Sequence, residues 1–275
     1  MVILGVLVVL GLVAIVRWGG LEVESPPREG EPGAVPSARE AARRYVWHFA
    51  VAVVAGLGAG VLVAGAGGRL AMRLLAATAG DDAQGRLTEA DEVVGRITTD
   101  GTIGFVIFTA LFFGVATGLL YLLIRRWLPG GRLGGLTFGA LLLVVAATTV
   151  EPLRSGNPDF DLVGPGWLSL VVFSALVLAH GMLVAAIAGR YSRALPLLTR
   201  QGRSIAAHAP VLLVAPFASA LIVVAVVGAL VVLARSLGER IRSRPVTVAG
   251  RVILAAVALV SLPGFLASVV DIARG

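Results

Sequence analysis

Residues 46–72 read VWHFAVAVVAGLGAGVLVAGAGGRLAM. No Asp, Glu, Lys or Arg occurs between Val46 and Gly68. A hydrocarbon core about 30 Å thick needs about 20 apolar residues at about 1.5 Å per residue of helix. The stretch is therefore long and apolar enough to cross a bilayer as one helix. Within it, Gly56, Gly60, Ala64 and Gly68 recur every fourth position. That spacing puts small side chains on one helix face and lets a neighbouring backbone approach closely.

Six further apolar runs flank it, at about 2–16, 103–124, 134–150, 167–188, 209–234 and 252–270. Small-residue spacing returns in two of them, as Ala110, Gly114 and Gly118, and as Gly135 and Gly139. The pattern predicts an all-α, polytopic transmembrane helix bundle of about seven helices. Three regions are expected: an N-terminal signal-anchor helix over 1–18, a flexible Pro/Gly/Glu linker over 19–45, and the helical bundle over 46–275. Inside the bundle, 77–102 is the longest polar loop. It repeats a short phrase, Gly85-Arg86-Leu87-Thr88 and Gly95-Arg96-Ile97-Thr98, at a spacing compatible with two short strands or two caps.

Composition narrows the chemistry. The chain is 57% hydrophobic and 14% charged, with a net charge of +7. It has no cysteine, which removes disulfides, thiolate metal sites and thiol redox chemistry. All 23 basic residues are arginine. Without lysine there is no Schiff base to retinal or pyridoxal and no Walker A lysine. The positive charge is spread over many loops with no basic stripe, so nucleic acid is not an expected partner. Membrane lipids are, with a homo-oligomer or a partner membrane subunit as further possibilities.

Arginine counts orient the chain. With the N-terminus outside, the loops 17–45, 125–133 and 189–208 and the C-terminus are cytoplasmic and hold 13 arginines. The loops 69–102, 151–166 and 235–251 are then external and hold 10. The expected topology is a multi-pass plasma-membrane (bacterial inner-membrane) protein, N-terminus outside and C-terminus cytoplasmic. One conflict stands out: 189–208 and 235–251 both look cytoplasmic, which a single crossing by 209–234 forbids. Pro210 and Pro216 are places where that run breaks or re-enters.

Few residues look able to carry chemistry. Arg69 and Arg73 share a face at i, i+4 near the end of the second helix. On the expected topology they lie on the same side as Glu151, Arg154, Asp159 and Asp161, which makes an external charged mouth that holds an anion or ties loops together. At least one of the two arginines is expected to pair with Glu151, Asp159 or Asp161. Asp159 and Asp161 form a D-x-D, which holds a divalent metal in some membrane glycosyltransferases; two carboxylates are too few ligands, and no metal is assigned. His180 is the ionisable residue deepest in an apolar run, and intramembrane ionisable groups are functional candidates. A bis-histidine haem with His48 would need matched depth, and the two differ by roughly 8 Å at the helical rise, so no cofactor is assigned and no catalytic residue is named.

Three stretches, GGRLAMRLLAATAG (67–80), GRLTEADEVVGRIT (85–98) and NPDFDLVGPGWL (157–168), resemble sequences of uncharacterised actinobacterial multi-spanning membrane proteins. The resemblance spans roughly 46–190 and implies membrane class and source only. The first functional expectation is a non-enzymatic scaffold or accessory subunit. A small-solute transporter or channel is the alternative, followed by a membrane enzyme acting on a lipid-linked substrate.

Overall fold

The computed structural model describes residues 1–26, 37–154, 156–217 and 244–274. Six long helical segments dominate: α1 (Val2–Trp18), α2 (38–78), α3 (Thr99–Trp127), α4 (Gly131–Ala146), α5 (Gly166–Ala194) and α6 (Arg244–Arg274). Four of them, α2, α3, α5 and α6, are long and apolar enough to cross a membrane, and α1 and α4 are shorter apolar helices. The fold is an all-α bundle embedded in the membrane.

Glycine contacts set the centre of the bundle. A Cβ added at Gly56 would lie 2.0 Å from the Gly114 carbonyl oxygen, and one at Gly60 would lie 2.6 Å from Ala110 Cα. One at Gly118 would lie 2.2 Å from the Ala52 carbonyl oxygen. α2 and α3 therefore meet backbone to backbone. A second seam joins α4 to α5, where a Cβ at Gly181 would lie 2.4 Å from Gly139 Cα. In lipid there is no hydrophobic drive between helices, so this close van der Waals fit supplies much of the association.

Three of the helices contain a π-helical turn: Gly60–Gly65 in α2, Thr109–Gly114 in α3 and Leu142–Ala146 in α4. A π turn adds a residue to the helix and rotates everything beyond it by about 100°. In α2 the face toward α3 runs through Ala52, Gly56 and Gly60 and then continues at Gly65, against Val106, rather than at Ala64. The four-residue stripe expected from the sequence thus shifts by one position halfway along.

The helices run alternately between two ends. At one end, Trp47 Nε1 donates to the Leu195 carbonyl at 2.9 Å, Arg193 pairs with Glu24 at 2.8 Å, and Gly250 packs on the Trp127 ring. At the other end, Gly164 packs on Leu75 and Gly166 on the Ile272 carbonyl. α6 therefore starts at the Trp47 end and finishes beside loop 151–166. This corrects the expected topology: the first and last helices bring both chain ends to the same side. Residues 218–243 lie outside the described residues. The segments that flank them, Ala209–Phe217 and α6, both start from the Trp47 end. Residues 244–251 therefore lie at the same end as 189–208, and the expected crossing by 209–234 and the rest of loop 235–251 fall mostly outside the described residues.

The expected linker over 19–45 also needs correction. Helix begins at Ala38, because Ser37 caps it by accepting a hydrogen bond from the Glu40 amide at 3.2 Å. Ser37-Ala38-Arg39-Glu40 has the spacing of a capping box, S-x-x-E. Arg44 adds an i, i+4 pair with Glu40 at 3.0 Å. After a turn at Gly19–Gly20, residues 21–26 form no helix but are tied down. The Glu24 amide donates to Ser192 Oγ at 3.1 Å, Arg125 donates to the Val23 carbonyl at 3.0 Å, and Glu22 accepts from the Gly131 amide at 3.3 Å. Residues 27–36 lie outside the described residues.

Candidate functional site

The two ends differ in charge. Among the described residues, thirteen arginines and three carboxylates lie toward the Trp47 end, from Arg17 round to Arg251. Six arginines and ten carboxylates lie toward the opposite end. The candidate charged mouth belongs to this acidic end.

Loop 77–102 folds there as a small hairpin. Gly85 (φ +80°) and Gly95 (φ +82°) both take the left-handed conformation that glycine adopts without a Cβ penalty. Leu87 and Val93 form an antiparallel bridge. Thr88 Oγ1 accepts from the Glu92 amide at 3.2 Å, and Thr98 Oγ1 accepts from the Gly101 amide at 3.1 Å and caps α3. The two copies of the repeated phrase thus share one device, a left-handed glycine followed by a threonine whose hydroxyl accepts from an amide further along, within the hairpin turn at Thr88 and as a helix cap at Thr98.

The hairpin tip docks on loop 151–166. The Glu89 amide donates to Asp159 Oδ1 at 2.8 Å, and Arg154 binds the Glu89 carboxylate. Arg154 also pairs with Glu151 at 3.2 Å. These two carboxylates push the Arg154 guanidinium further up from its ordinary basic range. Leu153, fully buried, anchors the loop beneath, with its amide donating to the Ala147 carbonyl at 2.7 Å. Asp159 and Asp161 sit on the single helical turn Asp159–Leu162. Residues at i, i+2 do not face each other on a helix, Asp159 is committed to Glu89, and Asp161 is exposed.

Arg69 and Arg73 do not join this cluster, contrary to the expected pairing. Arg69 Nε donates to Thr102 Oγ1 at 3.3 Å, and its guanidinium lies 5.8 Å from the centre of the Phe105 ring. The cause is the π turn of α2, which carries the α3-facing stripe from Gly65 to Arg69. Arg73 is half-buried, and its Nε has no hydrogen-bond partner among the described residues. The partner missed by sequence reasoning is Glu89, seventy positions from Asp159. Only the shared side of the two loops pointed to it.

His180 lies deep within α5 and is 6% exposed. Its Nε2 is 2.8 Å from Thr117 Oγ1, and the Thr117 hydroxyl donates to the Gly114 carbonyl at 2.9 Å. Nδ1 has the Ala59 backbone beside it but no hydrogen bond of normal geometry. His180 therefore joins α5 to the α2–α3 seam at the level of the π turns. His48 turns elsewhere, with Nδ1 on the Arg44 carbonyl at 2.8 Å.

No protein-family model matches the chain, and no curated protein or solved structure matches it either.

Proposed function

We propose that the protein is a non-enzymatic integral membrane subunit of the plasma membrane, a scaffold or accessory component. The arginine-rich end faces the cytoplasm, and the acidic end with both termini faces outward. The positive-inside rule supports this orientation, because among the described residues thirteen arginines gather at one end against six at the other.

The observation that carries the scaffold reading is α6. This 31-residue helix buries only Gly250, Ser268 and Ile272, near its ends, and leaves Leu259 and Val260 67% and 81% exposed. A bundle that uses its interior glycines for backbone packing and offers one long apolar helix outward suits lateral association with another membrane helix. A photocrosslinking residue at Val260 tests this in intact membranes, with buried Val53 as the control position. One discrete protein adduct at Val260 and none at Val53 is expected. Lipid adducts alone at Val260 would contradict the reading.

Small-solute transport is the second reading, and His180 favours it. Transporter sites lie near the bilayer midplane and use the rare ionisable residue found there. Flux through proteoliposomes that His180→Leu abolishes would replace the scaffold reading with this one.

A further inference from the structure

The first turns of α2 and the segment after α5 enclose an open cleft of about 400 Å³ at the arginine-rich end. Arg39, Arg43 and Arg200 line it together with Val46, Leu198 and Ile205, and among the described residues the lining contains no carboxylate. We propose that this cleft binds the phosphate headgroup of an anionic phospholipid.

The sequence builds the cleft from a helical spacing. Arg39, Arg43 and Val46 fall at i, i+4 and i+7 and so share one face of α2. The neighbouring face carries Glu40, which is held by Arg44 at 3.0 Å, so that among the described residues no carboxylate enters the cleft. Trp47, fully buried, fixes the opposite wall by its hydrogen bond to the Leu195 carbonyl. Leu198 to Ile205 are thereby held against α2.

Charge and polarity both select the ligand. Arginine forks match phosphate oxygens, and a guanidinium carries five donors. The cleft also adjoins the first turn of α2, where the helix dipole favours an anion. A soluble anion would need only the arginines. The apolar floor of Val46, Leu198 and Ile205 suits a headgroup with a glycerol backbone and acyl chains attached. The segment that supplies Ile205 continues into Leu212 and Leu213, 70% and 63% exposed, which offers apolar surface for such chains. A basic site between helices on the cytoplasmic side is where anionic lipid is most available.

This inference does not depend on the scaffold reading. The test uses the purified full-length protein in detergent, titrated with phosphatidylglycerol, phosphatidylcholine or inorganic phosphate, with bound lipid counted by native mass spectrometry. Phosphatidylglycerol should be retained and phosphatidylcholine lost. Each arginine near a membrane surface is worth roughly a factor of five, so R39Q/R43Q/R200Q should weaken retention by about a hundredfold. Ala42→Trp fills the cleft while keeping its charges and should also abolish retention, which decides the matter if the triple variant does not fold. The control R17Q/R126Q/R190Q removes the same charge from exposed positions of the same end, outside the cleft. It should bind like wild type. Equal losses in both triples, wild-type binding by Ala42→Trp, or displacement of the lipid by inorganic phosphate at matching concentration would each overturn the proposal.

Discussion

Gly56 and Gly114 lie with their backbones in contact, so that a Cβ on either would fall 2.0–2.4 Å from the carbonyl oxygen of the other. Neither backbone can retreat, because Gly60 and Gly118 hold the same two helices together on either side. Gly56→Leu or Gly114→Leu should cost well over the roughly 1–3 kcal/mol of an ordinary overpacked site. The loss should appear in thermal unfolding in detergent. Gly104 faces open space within α3, and Gly104→Ala should be neutral or stabilising by up to about 1 kcal/mol. Equal stability of the Leu and Ala variants would show that the seam is not tight.

Arg154 holds the hairpin to loop 151–166, and the contact is exposed, so its removal should loosen the acidic end without unfolding the bundle. Arg154→Gln should speed amide exchange at Val94 and Thr88, whose amides donate within the hairpin. Exchange in α5 should not change. On pH the sign is plain: a guanidinium raised above its ordinary value stays charged at every pH below that range. The arginine therefore adds no pH dependence near neutrality, and hairpin protection, taken as exchange corrected for its base-catalysed intrinsic rate, should be flat between roughly pH 6 and pH 9. A step that vanishes in Arg154→Gln would contradict this.

His180 and Thr117 should be coupled. Thr117→Val leaves a buried ring nitrogen unpartnered, at a cost of about 1–3 kcal/mol. His180→Leu with Thr117→Val should cost less than the two single changes added together, by on the order of 0.5–3 kcal/mol. Unfolding in a graded denaturing detergent measures all four corners. Strict additivity would mean that the hydrogen bond contributes nothing to the bundle.

Much of this was legible in the sequence, for reasons that differ element by element. Apolar run length identified α2, α3 and α5 because a bilayer imposes a fixed span. The four-residue glycine spacing located the α2–α3 seam. It could not reveal the π turn at Gly60–Gly65, which depends on how two packed helices share a surface, and so the direction of Arg69 was misread. The helix start at Ala38 was legible in the capping box Ser37-x-x-Glu40, a signal masked by the prolines and glycines before it. The pairing of Glu89 with Arg154 was not legible, because it depends on the docking of two loops distant in sequence. The expected crossing by 209–234 falls mostly outside the described residues, and it is the direction of α6, from Gly250 on Trp127 to Ile272 beside Gly166, that fixes where the chain finishes.

That last point carries the central claim, that both ends of the chain share the acidic face. The chain has no native cysteine, so single cysteines at Ala90, Gln201 and Ala273 can be labelled in intact cells with a membrane-impermeant maleimide. Ala273→Cys and Ala90→Cys should label before permeabilisation, and Gln201→Cys only after it. If Ala273→Cys instead labels together with Gln201→Cys and apart from Ala90→Cys, the last helix ends on the opposite face and the account is wrong.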